Sequence, residues 1–120
     1  MTDRTEEIKK LVIDALEDMK AKDITCLHVA PITSIADYMI IASGTSKRHL
    51  QSVAEHVYIS AKKADILPSL EGEPGSDWVL VDIGDIIVHV MTAETRQFYD
   101  LEKLWTLTPD DANSSDTTTH

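Results

Sequence analysis

The pattern of apolar residues along this 120-residue chain predicts one α/β domain, a mixed β-sheet flanked by helices. Three observations carry the prediction. Helical and strand-like periodicities alternate, so both kinds of element must share one core. Two strand patterns are joined by a tight turn and must run antiparallel, whereas a helical connection between others permits a parallel crossover. Apolar residues make up 42% of the chain, enough to fill one core at this length.

Ile8, Leu11, Val12, Leu16 and Met19, with Ala15 beside them, recur at helical spacing and form one apolar stripe. Asp3 followed by Glu6 suits the start of that helix, and Lys20 and Lys22 suit its end, where the dipole is negative. A short β-branched run over 24–29 reads as a strand stopped by Ala30-Pro31. The near-continuous apolar run over 37–43 reads as a strand buried on both faces, mid-sheet.

Gly44-Thr45-Ser46 then turns the chain into a second helix, with Ser46 as N-cap and Leu50, Val53, Ala54, Val57, Ala61 and Ala64 facing inward. Residues 67–76 carry two prolines and two glycines and read as a loop or a short edge strand. Strands over 78–81 and 86–91 flank Asp82-Ile83-Gly84-Asp85, a hairpin signal with Gly84 in the left-handed conformation. Two registers fit: a three-residue loop sets Trp78 across from Val88, and a four-residue loop sets it beside His89. A last helix is expected over 94–105, with Phe98, Leu101 and Trp105 on one stripe, Leu104 flanking it and Tyr99 roughly 100° away. Residues 108–120 are Pro, Asp, Asn, Ser and Thr with one Ala and a terminal His, and read as an acidic, disordered tail. No internal repeat is present.

Charge narrows the function. Eleven Lys and Arg against 21 Asp and Glu leave a net charge of −10. A chain whose main task is to grip nucleic acid needs a cation for each phosphate, so sequence-specific nucleic acid binding is not expected. A basic protein surface, or a metal ion held by carboxylates, suits this charge better. Cys26 is the single cysteine, which excludes an internal disulfide and a Cys-rich zinc site. The first residues lack a signal-peptide layout and no apolar run approaches the ~20 residues of a membrane helix, so a cytoplasmic protein without membrane attachment is expected.

Few residues carry chemistry. Asp82 and Asp85 at a hairpin tip, with a Gly44-Thr45-Ser46 turn opening a helix, are the parts of a metal-dependent nucleotidyltransferase or phosphohydrolase. Glycine, Asp and Ser are also ordinary turn and cap residues, and no lysine stands where a Walker loop requires one. His49 and His56 are two turns apart on one helix and His28 and His89 sit in strands, so no pair has the i, i+4 spacing of metal ligands. Cys26 has no flanking cation to activate it and reads as a packed thiol; Ser43 and Ser46 lack a nucleophile elbow. Of the six aromatic residues, Trp78 and Tyr99 are the two whose positions do not assign them to the core. They are either packed or the anchors of a protein interface.

The segment Ser34-Ile35-Ala36-Asp37-Tyr38-Met39-Ile40-Ile41-Ala42-Ser43-Gly44-Thr45-Ser46-Lys47-Arg48-His49 is the longest of several separated motifs. Glu71-Gly72, Asp77-Trp78-Val79-Leu80-Val81-Asp82-Ile83-Gly84-Asp85, Val88-His89-Val90 and Tyr99-Asp100-Leu101-Glu102-Lys103-Leu104-Trp105 follow in order. Together they resemble the ribosomal silencing factor family, also called Iojap-like, from the first helix to Trp105. The resemblance implies a single α/β domain over 1–107, related in fold to nucleotidyltransferases but without their catalytic carboxylates. It implies no reaction and no cofactor. It implies binding to the large ribosomal subunit through its ribosomal protein L-fourteen, on the face where the small subunit docks, so that translation falls when nutrients are short. Carried over by position, the partner-facing residues are Trp78 and Tyr99, with Met91, Arg96 and Glu102 as neighbours. Trp78 then supplies apolar area, Tyr99 a ring with a polar tip, and Arg96 and Glu102 a charged rim; Phe98 is expected to matter only for packing. A homodimer built on the hairpin edge and the unburied aromatics is a further reading, compatible with the ribosomal one.

Overall fold

The computed structural model describes residues 2–73 and 75–106. The expected tail over 108–120, and the side chains of Leu104 and Trp105 from the predicted last stripe, lie outside the described part. The elements run α1 (Thr2–Asp18), β1 (Lys22–His28), β2 (Tyr38–Gly44), α2 (Lys47–Lys63), β3 (Ser69–Glu71), β4 (Trp78–Asp82), β5 (Ile86–Thr92), α3 (Ala93–Tyr99) and α4 (Leu101–Thr106). They build a five-stranded mixed sheet in the order β1-β2-β5-β4-β3, as the alternating pattern predicts. Only β2 and β5 are parallel. The helical crossover through α2 makes that pairing possible.

The apolar stripes of α1 and α2 cover one face of the sheet. Val12 and Leu16 from α1 and Leu50, Val53 and Val57 from α2 pack with Ile40, Val79, Val81, Val88 and Val90, all without exposed surface. β2 is buried along almost its whole length, which explains its continuous apolar run. The other face carries a smaller core of Val29, Ala36, Met39, Ile41, Ile87 and Met91, against which Leu27, Ile32, Trp78, Leu80 and Leu101 pack. That face holds the site described below.

Several expectations change. α1 ends in a Schellman motif: Ala21 N–H donates to the Leu16 carbonyl, Lys20 N–H to that of Glu17, and Lys20 itself is left-handed with φ 59°. Lys20 is therefore the backbone cap rather than a charge set on the helix dipole, and Lys22 already opens β1. Asp3 lies inside α1 instead of capping it, and Glu6 turns to Lys9 and to the Tyr38 hydroxyl at 2.7 Å. Ser46 does cap α2, accepting from His49 N–H at 3.0 Å.

Neither predicted hairpin register occurs. Trp78 pairs with Met91 and Asp82 with Ile87, so the turn tightens to Gly84 and Asp85 between Ile83 and Ile86. Gly84, at φ 86°, stands at the first central position, where a II′ turn places glycine. The register wins because it puts Val79 opposite Val90 and Val81 opposite Val88, burying all four on the helix-covered face. The last helix is also broken. Asp100, left-handed at φ 51°, ends α3 and starts α4, so Phe98 leaves the stripe and stands 80% exposed.

Candidate functional site

β4 opens on Trp78, and β5 runs directly into α3. Thr92 caps that helix, its hydroxyl accepting from Thr95 N–H, while Thr92 N–H donates to the Asp77 carbonyl beside Trp78. Two turns later, α3 delivers Phe98 and Tyr99 over the start of β4. The rings of Trp78 and Tyr99 lie 5.0 Å apart at 51°, and Phe98 meets Tyr99 edge-on, also at 5.0 Å. Offset and edge contacts of this kind hold aromatic rings in a preferred arrangement. Tyr99 is 54% exposed. An open hollow runs beside the rings, lined by Ser76, Asp77, Glu94 and Thr95.

Beneath the patch sits His89, 6% exposed. Burial pushes its pKa down to about 4, so the ring is neutral and Nδ1 is free to accept a hydrogen bond. It accepts one from the indole N–H of Trp78 at 2.9 Å. Trp78 thus packs against the second core on one side and meets Tyr99 in the patch on the other.

The other three residues assigned to the partner face take different places. Met91 is fully buried below Trp78, its partner across β4 and β5. Arg96 points inward with its side chain 10% exposed. Its guanidinium holds the Glu102 carboxylate bidentately at 2.9 and 3.0 Å and also donates to Ser43 Oγ at 3.0 Å and Thr25 Oγ1 at 2.9 Å. These bonds keep the Glu102 carboxyl below its ordinary pKa. Arg96 and Glu102 therefore form a clamp tying α3, α4, β1 and β2 together. Phe98 was expected only to pack, and instead extends the exposed ring surface. Its adjacency to Tyr99 at the end of a helix was the available signal.

The parts of the enzyme reading do not come together. Gly44 ends β2, whereas Asp82 and Asp85 lie at the hairpin beside the beginning of that seven-residue strand, roughly 20 Å away. Asp82 Oδ1 accepts from Gly84 N–H at 2.9 Å and so shapes the turn. His49 joins helices: Nδ1 accepts from Thr45 N–H at 2.9 Å and Nε2 donates to the Met19 carbonyl at 2.7 Å, at the end of α1. Cys26 is partly buried, and burial raises its thiol pKa. Among the described residues no group of three or more His, Cys, Asp or Glu is placed to hold a metal ion. No described helix is long and apolar enough to cross a membrane.

These features define a small α/β domain whose most distinctive surface is a trio of aromatic rings carried on the thinly covered face of its sheet. Comparison with known proteins gives its family. A model described as ribosomal silencing factor during starvation matches residues 2–120, and the chain belongs to this family. The match continues past Trp105, where the sequence motifs stop. A ribosomal silencing factor from Chromobacterium violaceum is 47% identical over 102 residues, covering 83% of each chain. Another from Zymomonas mobilis is 45% identical over 101 residues, 83% of this chain and 76% of that one. The mouse mitochondrial assembly of ribosomal large subunit protein 1 is 38% identical over 101 residues, 81% of this chain and 44% of its own length. A crystal structure from Chromobacterium violaceum superposes with a TM-score of 0.81 at 44% identity, covering 83% of this chain and 84% of that one.

Proposed function

We propose that the protein represses translation by docking the Trp78, Phe98 and Tyr99 face on ribosomal protein L-fourteen of the large ribosomal subunit, where it sterically blocks the small subunit. The observation that carries this is the aromatic trio, Phe98 and Tyr99 exposed and Trp78 partly buried beside them, because rings set in a fixed arrangement on a surface are the usual anchors of a protein interface. Two further facts support it. The family is described as silencing the ribosome during starvation, and the mouse relative is named for assembly of the large subunit. A net charge of −10 favours a basic ribosomal protein over exposed RNA as the main partner.

The mechanism needs no reaction, cofactor or membrane, and its place is the cytoplasm, where subunits join. Met91, His89 and Arg96 act from below, holding the patch in position. Separation of Asp82 and Asp85 from the Gly44 turn speaks against the nucleotidyltransferase or phosphohydrolase reading. Sedimentation of separated subunits with added protein tests the proposal. Fewer joined ribosomes are expected as protein is added; unchanged joining at saturating protein rejects it.

A further inference from the structure

Beside the aromatic hollow lies a second one, about 310 Å³, lined by Lys47, Arg48, Gln51, Ser52 and Gly75. The two are continuous along the chain, since Gly75 leads into Ser76, Asp77 and Trp78. Lys47 Nζ stands 3.6 Å from Asp77 Oδ1 and bridges them. Resting on the docking reading above, we propose that Lys47 and Arg48 make a second contact, gripping the phosphate backbone of ribosomal RNA next to the protein partner.

The argument begins with Arg48. Of the three arginines, Arg4 and Arg96 pair with Glu7 and Glu102, whereas Arg48 is exposed and has no hydrogen bond or ion pair among the described residues. Guanidinium is the side chain best shaped to hold a phosphate with two parallel hydrogen bonds. Lys47 is nearly as available: its pair with Asp77 is exposed on both sides and long, and such pairs contribute little. Gln51 is weakly held as well. Its Oε1 is buried with no partner and its Nε2 makes one 3.2 Å bond to Glu55, so turning the carboxamide towards a ligand sacrifices little.

Charge supports the same occupant. The hollow is lined by two cations and no acidic residue, with Asp77 beside it, so this spot carries more positive charge than most of a chain of −10. A polyanion is repelled by most of this surface and attracted here, next to the face that is to meet the ribosome. Such a contact is blind to base sequence and fixes orientation on the particle.

The test compares the double variant Lys47→Gln/Arg48→Gln with Lys62→Gln/Lys63→Gln. The second pair changes net charge equally but lies roughly 22 Å away at the other end of α2. Affinity for purified large subunits is measured as a function of salt, and affinity for isolated ribosomal protein L-fourteen in parallel. The Lys47/Arg48 variant is expected to lose subunit affinity, and its salt slope is expected to fall by about two, roughly one per lost phosphate contact. The advantage of the native protein over it should then shrink about tenfold between about 50 and about 200 mM salt. Binding to L-fourteen alone should not change, and the Lys62/Lys63 variant should keep the native slope. Equal slopes for native protein and Lys47/Arg48 variant overturn the inference. A matching loss on isolated L-fourteen also overturns it, placing these residues in the protein interface. Absence of native binding to L-fourteen, with the subunit effect intact, instead rejects the docking reading.

Discussion

The indole N–H of Trp78 donates to Nδ1 of the buried His89 across 2.9 Å, so the ring at the centre of the patch is keyed from beneath by a neutral imidazole. The same side chain therefore serves the core and the surface. Substitutions at Trp78 will mix folding and binding effects, whereas Tyr99, half exposed at the top of the stack, separates them.

Tyr99→Ala is expected to weaken large-subunit binding by about 2 kcal/mol, the threshold of an interface hot spot, while changing unfolding free energy by less than about 1 kcal/mol. Trp78→Ala should lose in both measurements. Binding assays paired with denaturant melts check this. Native-like affinity in the Tyr99 variant would remove the aromatic trio from the docking face.

Stability should depend on His89 in a defined pH window. Its folded pKa of about 4 lies below the ordinary 6.5, so between these values the unfolded chain binds the extra proton. Stability from this source rises with pH through the window and is lost as pH falls from about 6.5 to about 4, by on the order of 3 kcal/mol. Denaturant melts across that range should show the slope. In His89→Gln, which keeps an acceptor for Trp78, the slope should flatten.

The Arg96 clamp makes a structural prediction. Arg96→Leu leaves Glu102 without its bidentate partner and should cost about 2 kcal/mol, charge-assisted bonds being the stronger kind. Because Glu102 has a lowered folded pKa, the clamp's contribution is present above the ordinary carboxylate value of 4.5 and fades as pH falls below it. Hydrogen exchange should speed up first in α4. Unchanged protection there would mean that Leu101 packing alone holds the helix.

Gly44 sits where β2 turns into α2, and a Cβ built there meets the backbone and Cβ of Leu50 at 2.8 Å. Leu50 is fully buried and its backbone cannot yield cheaply. Gly44→Ala should therefore destabilise the fold by about 2 kcal/mol, in the range of overpacked cores. A thermal melt indistinguishable from that of the native protein would contradict it. This glycine is a close-approach residue.

Much of the molecule was legible in one dimension. The stripes of α1 and α2, the buried run of β2, the Ser46 cap and the short edge strand at 69–71 follow from local periodicity and cap chemistry, which act within a few residues. Helix ends were less so, because Lys20 and Asp100 adopt the left-handed conformation that sequence reading assigns to glycine. The order and type of the elements, the family motifs and the negative charge belong to the sequence by itself. How far each of the candidate residues is exposed belongs to the tertiary structure. The family resemblance sets Met91 and Arg96 beside Trp78; hairpin register pairs Met91 with Trp78 and buries it, and a left-handed Asp100 folds Glu102 back onto Arg96. The reason is physical: a one-residue shift in a strand reverses every side chain, and a single αL residue redirects a helix. Neither decision is made by the residue whose exposure it sets.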